Sequence, residues 1–150
     1  MSKSRLAVVD SNIAVNILLN TPLSAQVEAL WRKFQLQHTR IVAPQLWRYE
    51  ITSAIHMYLF DGKLQADQAE ETLRIMFDLG VNLINEDEDL YLSAFEWASR
   101  LNQKAAYDGF YLALAERMNA DFWTTDQRLA NSARQAGAAR IFCIIEKKSK

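Results

Sequence analysis

The chain alternates five short, largely apolar runs with segments of helical periodicity, and this alternation constrains its fold more than any other feature. The runs cover residues 6–9, 40–43, 81–84, 121–125 and 140–145. Short apolar runs of this kind are typical of strands that are buried on both faces of a parallel sheet. Strands that alternate with helices predict a parallel sheet covered by helices. We therefore predict an α/β fold, a single-domain α/β/α sandwich around a central, mainly parallel five-stranded sheet.

Helices are predicted between these runs from the spacing of apolar residues and from capping signals. The first covers residues 13–19, and the second follows Ser24 as its cap. A third helix follows Pro44 and ends at residues 61–62, and a fourth covers residues 66–79 with Gly80 as its closing residue. Three more are predicted around residues 90–101, 106–119 and 127–136. Each of the first four runs is thus followed by helical segments long enough to cover the sheet.

Length and composition bound the class of protein. The 150 residues fit one domain over 1–150, with a disordered basic tail at 146–150. The net charge is −1, so a polyanion would need a local basic patch or a metal ion. Cys143 is the only cysteine, which excludes an internal disulfide and cysteine-rich zinc modules. Neither a signal peptide nor a membrane-spanning run is found, so we expect a cytoplasmic protein without a membrane partner.

Three aspartates stand at predicted helix starts. Asp10 and Asp126 each follow an apolar run and precede a helix, and Asp108 lies in the first turn of another helix. Ligands of open α/β sheets bind at the carboxyl ends of the strands, which makes all three candidates for one site. An aspartate at a helix start also caps free N–H groups. For each residue taken alone, capping explains the sequence at least as well as a functional role.

Glu50 has a less ordinary position inside a predicted helix. Trp47 precedes it by three residues and Ala54 follows it by four, so it borders the apolar stripe. A buried carboxylate is costly unless it is paired or binds metal. The alternative is a partly exposed residue at the edge of the stripe, paired with Arg48 or with another arginine.

Taken together, the four acids predict a metal site. Asp10, Glu50, Asp108 and Asp126 can meet at the carboxyl edge of a parallel sheet, where their mutual repulsion calls for a cation. Oxygen ligands without His or Cys favour Mg²⁺ or Mn²⁺ over zinc. A cation of this kind activates water and offsets charge on a phosphodiester, so the predicted chemistry is hydrolysis of a phosphate ester.

At these residues the chain resembles the PIN-domain ribonucleases, and within them the VapC-like toxins of toxin–antitoxin operons. The matching stretches are residues 8–13, 44–50, 106–115 and 122–129, in the family's order. The resemblance implies that the four acids are the catalytic and metal-binding quartet, and that Ser11 and Thr124 orient carboxylates or water. It also implies Mg²⁺- or Mn²⁺-dependent cleavage of RNA, a homodimer and a neutralising antitoxin. Gly109 departs from the Ala that usually follows the third acid.

Other hypotheses also fit the sequence. Four basic residues near the acidic motifs are candidates for contacts to RNA phosphates, or are simply solvated charges: Arg48, Arg100, Lys104 and Arg128. An aspartyl phosphatase would need an acid two residues after Asp10, where the chain has Asn12. A stand-alone RNA-processing nuclease and a non-catalytic module that binds RNA or protein are the further alternatives. A non-catalytic domain has little reason to keep four mutually repelling carboxylates.

Overall fold

The computed structural model describes residues 5–145, and they form a parallel five-stranded sheet flanked by helices. The strands are β1 (Leu6–Val9), β2 (Arg40–Pro44), β3 (Asn82–Ile84), β4 (Asp121–Thr124) and β5 (Ile141–Cys143). The helices are α1 (Ser11–Leu18), α2 (Ser24–Leu36), α3 (Leu46–Phe60), α4 (Ala66–Met76), α5 (Glu88–Arg100), α6 (Tyr107–Met118) and α7 (Gln127–Gln135). The predicted α/β/α sandwich with a parallel five-stranded sheet is confirmed.

The strand order places β1 at the centre of the sheet. The order is β3-β2-β1-β4-β5, and all four neighbouring pairs are parallel. Val8 pairs with Val42 of β2 on one side and with Phe122 of β4 on the other. The chain reverses its direction of winding at β1, and such a switch point opens a crevice at the carboxyl edge of the sheet. The residue that follows β1 therefore enters this crevice.

Alternate residues of β1 belong to two different cores, as the pleat of a strand requires. Val8 faces the larger core, which includes buried residues of α3, α5, α6 and α7. Ala7 and Val9 face the smaller core, which is built mainly by α2. Both faces of β1 are thus buried, which explains why its sequence is continuously apolar.

The boundaries differ from the predictions where polar and turn residues end an element early. The fourth helix ends at Met76 and not at Leu79, and the turn that follows contains Gly80 at φ 75°. The first helix begins at Ser11, before the predicted start at Ile13. Within residues 5–145, no helix is long and apolar enough to cross a membrane. The tail predicted at 146–150 lies outside the described residues.

Candidate active site

The carboxyl edge of the sheet brings the predicted acids into electrostatic contact. Asp10 follows β1, Glu50 lies in α3, and Asp108 lies in the first turn of α6. Glu50 and Asp108 both raise the pKa of Asp10, and Asp108 raises the pKa of Glu50. Asp126, at the start of α7, raises the pKa of Asp108. Asp10, Glu50 and Asp108 therefore lie near one another at this edge of the sheet, and Asp126 lies near Asp108.

Asp10 is the buried centre of this crevice, with 5% of its surface exposed. It occupies the N-cap position of α1, yet its side chain makes no capping hydrogen bond, which removes the alternative explanation of this residue. Burial is the largest cause that raises its pKa from 3.8 to about 7, and the hydrogen bond from Thr124 opposes this increase. A buried carboxylate that is this reluctant to ionise is suited to a cationic ligand.

A small network fixes the orientation of Asp10. The Thr124 hydroxyl donates to Asp10 Oδ2 at 2.8 Å, and the Asn12 amide donates to the same oxygen at 3.0 Å. Thr124 Oγ1 in turn accepts from Asn12 Nδ2 at 3.1 Å and from the Asp126 backbone N–H at 3.0 Å. Asn12 Oδ1 accepts from the Thr125 N–H at 2.9 Å. The fully buried Thr124 hydroxyl thus makes one donor and two acceptor bonds, which is its full capacity.

Glu50 accepts a hydrogen bond from a residue of another helix. Its Oε1 accepts a 2.6 Å hydrogen bond from the hydroxyl of Tyr111, a residue with none of its surface exposed. Burial is the main cause that raises the pKa of Glu50, while Tyr111 and, to a smaller extent, Ser11 lower it. Among the described residues, Glu50 forms no ion pair with Arg48, because the ion pairs found there join other residues.

Asp108 is half-buried, and its position depends on a close approach of two helices. Gln103 Nε2 donates to Asp108 Oδ2 at 2.9 Å, and burial raises the pKa of this carboxyl. The next residue, Gly109, packs so closely on α5 that an added Cβ would lie 2.2 Å from the Ala94 carbonyl oxygen. The departure from Ala at this position therefore has a physical reason, because only glycine permits this contact.

Asp126 is the most exposed of the four acids, and it does cap a helix. Its Oδ1 accepts from the Leu129 N–H of α7 at 3.1 Å. Asp126 Oδ2 accepts no hydrogen bond within the described part of the chain. The Ser11 hydroxyl makes a long 3.5 Å contact with Asp10 Oδ1. Both candidates for orienting roles, Ser11 and Thr124, are thus placed beside Asp10.

The four carboxylates share one hydrogen-bonding pattern. In each, one oxygen accepts the short hydrogen bonds that the described residues form, and the other oxygen accepts none shorter than 3.5 Å. The accepting oxygens, called the tethered oxygens below, are Asp10 Oδ2, Glu50 Oε1, Asp108 Oδ2 and Asp126 Oδ1. Within residues 5–145, no three His, Cys, Asp or Glu side chains are already placed to hold a metal ion. The donor set still fits Mg²⁺ or Mn²⁺, because Mg²⁺ commonly takes one or two carboxylates and completes its shell with water.

The predicted phosphate contacts divide into two pairs. The guanidinium of Arg48 lies over the Phe77 ring at 4.8 Å from its centroid. Arg100 stacks on Trp97 at 3.7 Å and donates to the carbonyl of Ala136, which is at the end of α7 opposite to Asp126. Two exposed cations remain beside the acidic motifs, with Lys104 adjacent to Gln103 and Arg128 two residues after Asp126.

Sequence reasoning did not assign Asn12, Tyr111 and Gln103 to the site. The signal for Tyr111 was its position three residues after Asp108, which places both on one face of a helix. Asn12 stands two residues after Asp10, where a polar side chain at a helix start can reach back to its neighbour. Gln103 precedes the helix by four residues in an irregular segment, and no periodicity predicts where its side chain points.

This arrangement defines a class of α/β proteins with an acidic crevice at the switch point of a parallel sheet. The sequence profile of the PIN domain family matches residues 7–135, and the chain belongs to that family. The resemblance seen in the sequence motifs is therefore confirmed. No protein of curated function matches the sequence.

Solved structures share the fold at low sequence identity. VapC20 of Mycobacterium tuberculosis, a toxin that cleaves the sarcin-ricin loop, is 15% identical with a TM-score of 0.64, over 89% of this chain and 98% of its own. FitAcB of Neisseria gonorrhoeae is 16% identical with a TM-score of 0.66, over 91% and 96%. A toxin–antitoxin complex from Klebsiella pneumoniae is 17% identical with a TM-score of 0.60, over 91% and 95%. These likenesses show the fold.

Proposed function

We propose that this protein is an endoribonuclease that depends on Mg²⁺ or Mn²⁺ and acts as the toxin of a toxin–antitoxin pair. The observation that carries the proposal is the buried carboxylate of Asp10, which faces Glu50 and Asp108 without an ion pair among the described residues. Buried charge without compensation is costly, so a site of this kind is retained where a cation or a reaction uses it. Membership of the PIN family and the toxin neighbours support the choice of reaction.

The cation would be held by Asp10, Glu50 and Asp108, with Asp126 at the exposed side of the crevice. When bound, Mg²⁺ or Mn²⁺ activates water at neutral pH and offsets negative charge that develops on the phosphodiester. The chain itself contributes orientation: Thr124 and Asn12 hold one oxygen of Asp10 and leave the other toward the crevice. Because hydrogen bonds already fix the tethered oxygens, little reorganisation is needed when the substrate arrives.

RNA would be held partly by exposed cations near the crevice. The chain carries a net charge of −1, so binding cannot depend on a general positive field. Lys104 and Arg128 are exposed, and they lie four residues before Asp108 and two residues after Asp126. We propose that these two contact phosphates, because their side chains are not occupied by an aromatic ring as those of Arg48 and Arg100 are. A homodimer, a cognate antitoxin and a cytoplasmic location are part of the same proposal.

Cleavage of RNA tests the enzymatic part. Purified protein is incubated with structured RNAs in Mg²⁺ or Mn²⁺, with and without EDTA, beside Asp10→Asn and Asp108→Asn. Asp78→Asn is the matched control, because Asp78 is exposed in the segment that leads into β3, at the other edge of the sheet. We expect cleavage by the wild type and the control only, and none in EDTA. Cleavage that persists in EDTA or in both site variants would refute the metal mechanism.

Growth and cation binding separate the alternatives. Expression of the wild type is expected to arrest growth, and Asp10→Asn is expected to relieve the arrest. A protein that cuts RNA without arresting growth would be a stand-alone RNA-processing nuclease. A protein that binds the cation by calorimetry and cuts no RNA would be a binding module.

A further inference from the structure

We infer that Tyr111 is a positioning residue that orients Glu50 toward the cation by holding one oxygen of its carboxylate. This inference rests on the proposed function, because it concerns the same site. It assigns a role to a residue of the hydrophobic core that is not itself one of the proposed cation ligands.

The first observation is the cost of a hydroxyl at this position. Tyr111 has none of its surface exposed, belongs to the larger core and packs against Phe122, with the two ring centroids 6.0 Å apart. A phenylalanine would supply the same apolar contacts. The buried hydroxyl would cost free energy if it were left without a partner, and its partner in the structure is Glu50 Oε1 at 2.6 Å.

The second observation is the freedom that Glu50 would otherwise have. Its side chain has three rotatable torsions and starts from α3, whereas Asp10 and Asp108 have shorter side chains. Among the described residues, the short hydrogen bond to Glu50 comes from the Tyr111 hydroxyl, and it occupies Oε1. The hydrogen bond therefore selects one rotamer and leaves Oε2 for the crevice, as in the other three carboxylates.

The third observation is the rigidity of the donor. Tyr111 lies in α6, three residues after Asp108, so one helix carries an acid and the group that positions a second acid. Glu50 is thereby fixed relative to Asp108 across two helices. Outer groups of this kind typically change cation affinity by 10- to 100-fold when they are removed.

A double-mutant cycle of cation binding tests the inference. Mg²⁺ and Mn²⁺ dissociation constants are measured by calorimetry for the wild type, Tyr111→Phe, Glu50→Ala and the double variant. Tyr107→Phe is the matched control, because it removes a hydroxyl from the same helix at an exposed position. Tyr111→Phe is expected to weaken binding about 10-fold or more in the wild-type background and to have no effect in the Glu50→Ala background. Tyr107→Phe is expected to leave binding unchanged.

The outcomes separate this inference from the proposed function. If the wild type binds no cation, the metal-dependent function fails. If the wild type binds and Tyr111→Phe binds equally well, or loses the same factor with and without Glu50, only the positioning role is refuted. Should Tyr111→Phe not fold, ¹⁹F NMR of wild-type protein with 3-fluorotyrosine decides, because Tyr111 is the one buried tyrosine among the described residues. Its resonance is expected to shift as Mg²⁺ is added, and an unchanged resonance would overturn the inference.

Discussion

Replacing Asp10 by asparagine is expected to stabilise the protein in the absence of divalent cations while it abolishes the proposed activity. The carboxyl of Asp10 has a pKa raised from 3.8 to about 7, mainly because it is buried. At about 1.4 kcal/mol per pH unit, this difference corresponds to a penalty on the folded state of about 4 kcal/mol at pH 8. Asparagine has the same shape and carries no charge, so it removes the penalty.

The hydrogen bonds of the site tolerate this change. Thr124 and Asn12 both donate to Oδ2 of Asp10, and an amide oxygen placed there accepts from both. The amide nitrogen then replaces Oδ1, whose neighbour is the Ser11 hydroxyl, a group that can accept a hydrogen bond. The variant therefore keeps the network and loses only the buried charge.

The stability of the wild type is expected to fall as the pH rises. Because the pKa is higher in the folded state, the folded protein retains the proton that the unfolded chain loses above pH 4, and wild-type stability falls as pH rises from about 4 to about 7. The advantage of Asp10→Asn is thus greatest above pH 7 and disappears near pH 4. Added Mg²⁺ is expected to stabilise the wild type by about 2.7 kcal/mol at 100 times its dissociation constant and to leave the variant unchanged.

Urea denaturation at pH 4.5 and pH 8, in EDTA and in Mg²⁺, measures each of these differences. Asp78→Asn serves as the control for replacing an exposed aspartate and should match the wild type. An Asp10→Asn variant that is no more stable than the wild type at pH 8 in EDTA would refute the assignment of a strained, buried carboxylate. A difference in unfolding free energy between Asp10→Asn and the wild type that stays constant from pH 4.5 to pH 8 would also refute this assignment.

Three further predictions follow from individual contacts. Gly109→Ala, which normally favours a helix by up to about 1 kcal/mol, should instead lower the unfolding free energy by about 1–2 kcal/mol in urea, because the new Cβ meets the Ala94 carbonyl. Thr124→Val should lower the unfolding free energy by about 1–3 kcal/mol, because the buried Asp10 carboxyl loses a donor and the Asp126 N–H loses its acceptor, whereas Thr124→Ser should cost less. Equal losses would contradict the hydroxyl's role. Calorimetric Mg²⁺ affinity should rise about tenfold per pH unit up to pH 7 and then level off, since the cation must displace the proton of Asp10, and a flat profile would argue against this.

The sequence was sufficient to predict the layers of the fold because apolar runs and helical spacing are local. The continuously apolar sequence of residues 6–9 predicts a strand that is buried on both faces, and two separate cores bury Ala7, Val8 and Val9. The order of the strands is set by which helices cover which face, and no local pattern encodes it. Helix ends such as Met76 were missed because the turn after α4 continues the helical spacing of the sequence.

The acids were predictable because each stands at the start of a helix or beside an apolar stripe. Capping and a functional role could not be separated there, and the structure separates them residue by residue. Asp126 caps α7, whereas the Asp10 side chain makes no cap and instead accepts from Thr124, which is 114 residues away in sequence. Contacts of such separation depend on the pairing of β1 with β4 and are invisible in a single sequence.

The groups that orient the carboxylates belong to the core as much as to the site. Thr124 has none of its surface exposed and pairs with Cys143 across the sheet, and Tyr111 packs on Phe122. Their hydroxyls donate to Asp10 and Glu50, so Thr124→Val and Tyr111→Phe remove this orientation while they keep most of the apolar packing. The rigidity of the proposed site is therefore a consequence of core packing, since the same backbone positions that bury the apolar surface also place its hydrogen-bond donors.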